Sequence, residues 1–98
     1  MPSKTRTSFK TTTMQVQLRY FARLRERFGL AEESLTLPEG IETVAGLLAH
    51  LALRGEAWAE ELASHRVFRV ALDQELVGFE APLHAGVEVA IFPPVTGG

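Results

Sequence analysis

The chain contains no cysteine. Disulfides, cysteine nucleophiles and thiolate metal sites are therefore excluded, and any sulfur chemistry must bring its sulfur from outside. Lysine is almost as scarce: Lys4 and Lys10 are the only two, and none follows Met14. Lysine-linked chains of this protein could be anchored only at those two positions, which argues against a polymeric modifier. No apolar run approaches the roughly 20 residues needed to span a membrane, and no secretory h-region is present, so the cytoplasm is the expected location. His50, His65 and His84 are scattered without metal-ligand spacing, and neither a phosphate-binding glycine loop nor a nucleophile paired with a base is visible. The domain is expected to hold no metal and no cofactor and to carry no catalytic apparatus of its own.

What is present suits one small α+β domain. The 98 residues are 46% hydrophobic, ordinary for a globular protein. Charge is unevenly placed. Residues 1–13 hold Lys4, Arg6 and Lys10 and no acid, a net of +3; the remainder sets seven arginines against twelve acids, a net of −5. The acidic body argues against nucleic acid as a partner and suits a protein with a basic face. Residues 1–13, rich in Ser and Thr and without periodicity, read as a disordered extension. A vector remnant or an over-long start before Met14 would give such a segment, and its composition also fits an organelle transit peptide. The folded domain is expected over residues 14–98.

From Met14 the apolar residues alternate: Val16, Leu18 and Tyr20 on one face, Gln15, Gln17 and Arg19 on the other, which is the pattern of a half-buried strand. Residues 21–28 then form a short helical turn ended by Gly29. A second strand over 34–37 pairs with the first as a hairpin, and Pro38-Glu39-Gly40 is a turn. Thr43 is placed to cap a helix whose apolar face, Val44, Leu47, Leu48 and Leu51, follows at i, i+3, i+4 and i+7, with Gly55 as its stop. Trp58 and Leu62 lie one turn apart on a short further helix. Residues 67–72 form the third strand, with Phe68, Val70 and Leu72 on one face; Asp73-Gln74 turns it into a return strand over 75–77. After the Ala85-Gly86 turn, Val87, Val89 and Ile91 alternate through the last strand. One main helix packed on a mixed sheet of about five strands is the expected architecture. The arginine series Arg19, Arg23, Arg25 and Arg27 reads as a solvated face rather than an anion site.

Parity carries a functional clue. Phe21 shares the face of Gln15, Gln17 and Arg19, while Phe92 shares that of Glu88 and Ala90. Both aromatics therefore point away from the helix-covered core at strand ends, and Leu76 joins them if Val77 points inward. Such a cluster beside the tail would be a protein-docking patch. The competing reading is that the chain leaves the strand before Phe21 and tucks that ring under the loop.

The tail is Pro93-Pro94-Val95-Thr96-Gly97-Gly98. Pro93 and Pro94 favour an extended course at its base, and the glycines leave its tip unencumbered. Gly98 would present an α-carboxylate ionised at neutral pH, with no Cβ to crowd its carbonyl and access to a narrow channel. Attack of that carboxylate on the α-phosphate of ATP would give an acyl-adenylate that a sulfur nucleophile could displace. A frayed end without a role is the alternative.

The segment Tyr20-Phe21-Ala22-Arg23-Leu24-Arg25-Glu26, the helix opening at Thr43-Val44, the stretch Val70-Ala71-Leu72-Asp73-Gln74-Glu75-Leu76-Val77 and the end Glu88-Val89-Ala90-Ile91-Phe92-Pro93-Pro94-Val95-Thr96-Gly97-Gly98 resemble the sulfur-carrier small subunits of molybdopterin synthase. The resemblance spans residues 14–98 and is most specific at 92–98. It implies a ubiquitin-like β-grasp fold, with the reactive group at Gly98 and Val95, Thr96 and Gly97 forming the tail that enters partner active sites. It implies partner contacts at Phe21, Leu76, Phe92, Pro93 and Pro94. It also implies three kinds of partner: an adenylating enzyme related to ubiquitin activators that spends ATP, a sulfurtransfer system, and the large synthase subunit, with which the carrier forms a heterotetramer. There a Gly98 thiocarboxylate gives its sulfur to cyclic pyranopterin monophosphate. Many members have Asn where Asp73 stands, and either residue suits a turn.

Rival readings share the chemistry. A sulfur carrier for thiamine thiazole synthesis would have the same Gly-Gly end, but the Phe92-Pro93-Pro94 run and the long 42–66 region favour the molybdopterin branch. A carrier for tRNA thiolation, a ubiquitin-like modifier of protein lysines and a non-reactive binding module are the others.

Overall fold

The computed structural model describes residues 13–63 and 68–93. Eight elements follow in order: strand β1 (Met14–Tyr20), helix α1 (Ala22–Phe28), strand β2 (Glu32–Leu37), helices α2 (Val44–Ala52) and α3 (Glu56–Glu61), and strands β3 (Arg69–Leu72), β4 (Glu75–Val77) and β5 (Glu88–Phe92). The five strands form one sheet in the order β2-β1-β5-β3-β4. The first and last strands lie side by side and parallel, Leu18 opposite Val89 and Tyr20 opposite Ile91, while every other pairing is antiparallel. This is the β-grasp architecture expected. The extension before residue 13 falls outside the described residues.

Alternation built the sheet as its pattern dictates. Val16, Leu18, Val87, Val89 and Ile91 have no exposed surface and Tyr20 almost none, so one face is wholly covered. The α2 stripe Val44, Leu47, Leu48 and Leu51 is buried against it. Each such side chain contributes about 1.5–3 kcal/mol of apolar burial. Thr43 caps α2, its hydroxyl accepting from the Gly46 N–H at 3.2 Å. Phe28 stacks on Trp58 with ring centroids 3.7 Å apart, and the Tyr20 ring meets both edge-on, which closes the core under α1 and α3.

Three boundaries differ from expectation. Strand β2 begins at Glu32, ahead of 34, because Glu32 and Glu33 pair with Arg19 and Leu18; on an edge strand charged residues guard the rim and hide the strand pattern. Helix α2 does not run to Gly55. The Leu53 and Arg54 N–H groups turn back to the His50 and Leu51 carbonyls, tightening the last turn and ending the helix at Ala52. Gly55 instead starts α3 as its N-cap residue. Strand β3 begins at Arg69, with 64–67 outside the described residues.

Candidate docking site at the root of the tail

Parallel pairing of β1 and β5 makes both strands leave the sheet at the same end, and this brings Phe21 beside Phe92. The Phe21 N–H still donates to the Ile91 carbonyl at 3.3 Å, so the strand register persists through Phe21. The chain turns away one residue later, at Ala22, whose φ of 53° is left-handed. Phe21 is therefore not tucked under the loop. It is 37% exposed, and its ring meets Phe92 edge-on with centroids 6.1 Å apart.

Across the outer face runs a row of register partners: Leu76 opposite Ala71, Ala71 opposite Ala90, Ala90 opposite Arg19. Ala71 and Ala90 are small, so they form the floor of a shallow, open groove of about 580 Å³ that Phe21, Ala22, Gln74, Phe92 and Pro93 also line. Leu76 stands next to this floor on β4, 63% exposed, while its neighbour Val77 packs on the core. Phe21, Leu76, Phe92 and Pro93 thus share one apolar surface. Pro94, Val95, Thr96, Gly97 and Gly98 lie outside the described residues.

Sequence reasoning missed Ala71, Gln74 and Arg69 at this face. The signal was present: if Val70 and Leu72 point inward, Arg69 and Ala71 must point outward. The Asp73-Gln74 turn has both residues at positive φ, 49° and 74°, the geometry of a two-residue hairpin. Asp73 fastens that turn to β5, its carboxylate accepting from the Glu88 N–H at 3.0 Å while its own N–H donates to the Glu88 carbonyl.

Charge on the outer face is arranged around the groove. Arg19 donates to Glu88 at 3.2 Å, lies 3.9 Å from Glu32, and holds its guanidinium 5.5 Å from the Phe21 ring centroid. The perturbed titratable groups sit elsewhere. The Tyr20 hydroxyl donates to Glu33 at 2.8 Å, and Arg54 grips the same carboxylate with two hydrogen bonds while covering the Trp58 ring. Burial alone would raise the Glu33 carboxyl. The hydrogen bonds from Arg54 and Tyr20, with the Arg54 charge, overcome this and hold it below the usual glutamate value. Burial, with Glu33 as acceptor, pushes the Tyr20 hydroxyl well above its ordinary range. This network ties β2 to the segment that follows α2. Among the described residues no group of acidic, histidine or cysteine side chains could hold a metal ion, and no helix is long and apolar enough to cross a membrane.

The fold places the chain among small β-grasp proteins, with an apolar groove on the outer face of the sheet. The ThiS family model matches residues 18–98, and the chain belongs to that family. The molybdopterin synthase sulfur carrier subunit of Escherichia coli K12 is 37% identical over 83 residues, covering 85% of this chain and 99% of the relative. SAMP1 of Haloferax volcanii, a small archaeal modifier protein, superimposes with a TM-score of 0.67 at 28% identity, covering 86% of this chain and 99% of that one. Subunit 1 or 2 in the complex of the molybdopterin-converting factor from Helicobacter pylori matches with a TM-score of 0.58 at 28% identity, covering 87% of this chain and 100% of that one.

Proposed function

We propose that this protein is the sulfur-carrying small subunit of a molybdopterin synthase. An activating enzyme binds the outer face and guides the tail to ATP. The Gly98 carboxylate attacks the α-phosphate, pyrophosphate leaves, and an acyl-adenylate forms. Hydrosulfide-level sulfur supplied by a sulfurtransfer system attacks the carbonyl carbon, displaces AMP and loses its proton, leaving a thiocarboxylate. The charged carrier then docks on the large synthase subunit through Phe21, Leu76, Phe92, Pro93 and Pro94. Val95, Thr96 and Gly97 carry the thiocarboxylate into its active site, where the sulfur passes to cyclic pyranopterin monophosphate. A dithiolene holds two sulfurs, so two charged carriers serve each product, in keeping with a heterotetramer of two large and two small subunits.

The observation that carries this reading is the position of the apolar groove. Parallel β1 and β5 set it at the root of the tail, so a protein covering the groove receives the tail in the same act. The 37% identity with a sulfur carrier subunit over nearly all of that relative supports the choice of pathway. The likeness to SAMP1 favours a second reading, conjugation of Gly98 to protein lysines.

One experiment separates these readings. Purified protein is combined with activating enzyme, ATP, sulfur donor, large subunit and cyclic pyranopterin monophosphate, beside a variant with one residue added after Gly98. Molybdopterin is expected only from the unextended protein. A preparation that forms lysine conjugates but no molybdopterin would favour the modifier, and one in which the extension changes nothing would leave only a binding module.

A further inference from the structure

We propose that Arg69 is a charged anchor of the docking face, received by a carboxylate of the large synthase subunit; this rests on the reading just given. Arg69 is directly opposite Phe92 in the antiparallel pairing of β3 with β5. Side chains so paired have Cβ atoms about 4.5–5.5 Å apart. Its strand neighbour Val70 is buried in the core, so Arg69 is on the outer face and exposed, beside the ring at the root of the tail.

Among the described residues four of the other arginines are paired with carboxylates, and Arg25 is not. Arg19, on the same face, is held by Glu88 and Glu32; Arg23 and Arg27 are bound to Glu61, and Arg54 to Glu33. Arg69 makes no ion pair among the described residues. It is a cation on a body whose residues 14–98 carry a net charge of −5. Water solvates it while the groove is open. When a partner covers Phe21 and Phe92, that water is expelled, and a desolvated guanidinium without an acceptor opposes binding. A carboxylate accepts a guanidinium through two parallel hydrogen bonds. The partner that fits this face therefore brings an Asp or Glu to the Arg69 position, and one that brings a lysine or arginine there is rejected. The overall acidic charge favours basic partners at long range, whereas Arg69 demands a local acid at contact; together they discriminate among proteins that could otherwise cover an apolar groove.

The test measures binding of the full chain to the purified large subunit at low and high salt, for wild type and the variants Arg69→Ala, Arg69→Lys, Arg69→Glu and Phe92→Ala, with melting temperature as a check on folding. Arg69→Ala is expected to weaken binding about tenfold and Arg69→Glu about a hundredfold, with Arg69→Lys between wild type and Arg69→Ala. The Arg69→Ala complex should also be less sensitive to salt, with melting temperatures unchanged. Wild-type affinity in Arg69→Glu alongside weakened binding in Phe92→Ala would overturn the anchor and leave the docking face standing. Unaltered binding in both variants, or no binding by wild type, would overturn the docking reading and the anchor together.

Discussion

Phe21 and Phe92 come from the ends of the first and last strands, yet their rings meet edge-on with centroids 6.1 Å apart. Parallel strand pairing makes this contact, and half-burial leaves it available to a partner. An edge-on aromatic pair contributes about 0.5–1.5 kcal/mol beyond its buried area, whereas an aromatic anchor at an interface centre is worth about 2 kcal/mol or more. Phe92→Ala should therefore lower affinity for the large subunit more than it lowers stability. Calorimetric titration beside urea unfolding checks this; equal losses in both would show that Phe92 acts by folding alone.

Ala22 sits at φ 53°, where a side chain with a Cβ costs about 1–2 kcal/mol. Glycine relieves that strain but adds freedom to the unfolded chain, so Ala22→Gly should stabilise by about 0.5–1 kcal/mol. Ala22→Val should destabilise, since a β-branched side chain tolerates positive φ poorly. Urea midpoints at constant slope measure both; destabilisation by glycine would contradict the strain.

Glu61 is 4% exposed and accepts from Arg23 at 2.9 Å and Arg27 at 3.1 Å, which clasps α3 to α1. Glu61→Gln removes the charge while the two arginines, 55% and 41% exposed, can turn to water. A loss of about 1.5–3 kcal/mol is expected, the value of hydrogen bonds to a charged group. Because the carboxylate is buried, high salt should abolish little of it. Thermal unfolding of both proteins at low and high salt decides the matter.

The Tyr20–Glu33–Arg54 network sets the pH dependence. The Glu33 carboxyl is lowered in the folded state, so its contribution is present above the unfolded value of about 4.3 and fades as pH falls through the lower folded value. The Tyr20 hydroxyl is raised, so its contribution is complete below about 10 and fades as pH rises above it. Glu33→Gln should be less stable than wild type at pH 7, with the gap narrowing below pH ~4. A gap independent of pH would contradict the assignment.

Much of this was legible before the fold. Alternation in β1 and β5 gave the inner face residue by residue, and the α2 stripe needed only helical spacing. The parity of Phe21, Leu76 and Phe92 identified three members of the outward apolar surface. What the pattern could not reach were contacts that depend on how separate elements meet. The Arg23 and Arg27 grip on Glu61, the stacking of Phe28 on Trp58 and the hold of Asp73 on Glu88 join segments with no local signature. Ala71 and Arg69 carry no strong apolar signal of their own, although the groove needs small side chains for its floor.

Carriage of sulfur at Gly98, as proposed, would change the mass of the protein. Intact-protein mass after incubation with activating enzyme, ATP and a sulfur donor tests it directly. The expected result is a mass gain equal to one oxygen replaced by sulfur, located at Gly98 and lost again when the large subunit and cyclic pyranopterin monophosphate are added. An unchanged mass with an activator that loads a known carrier in the same assay would contradict it.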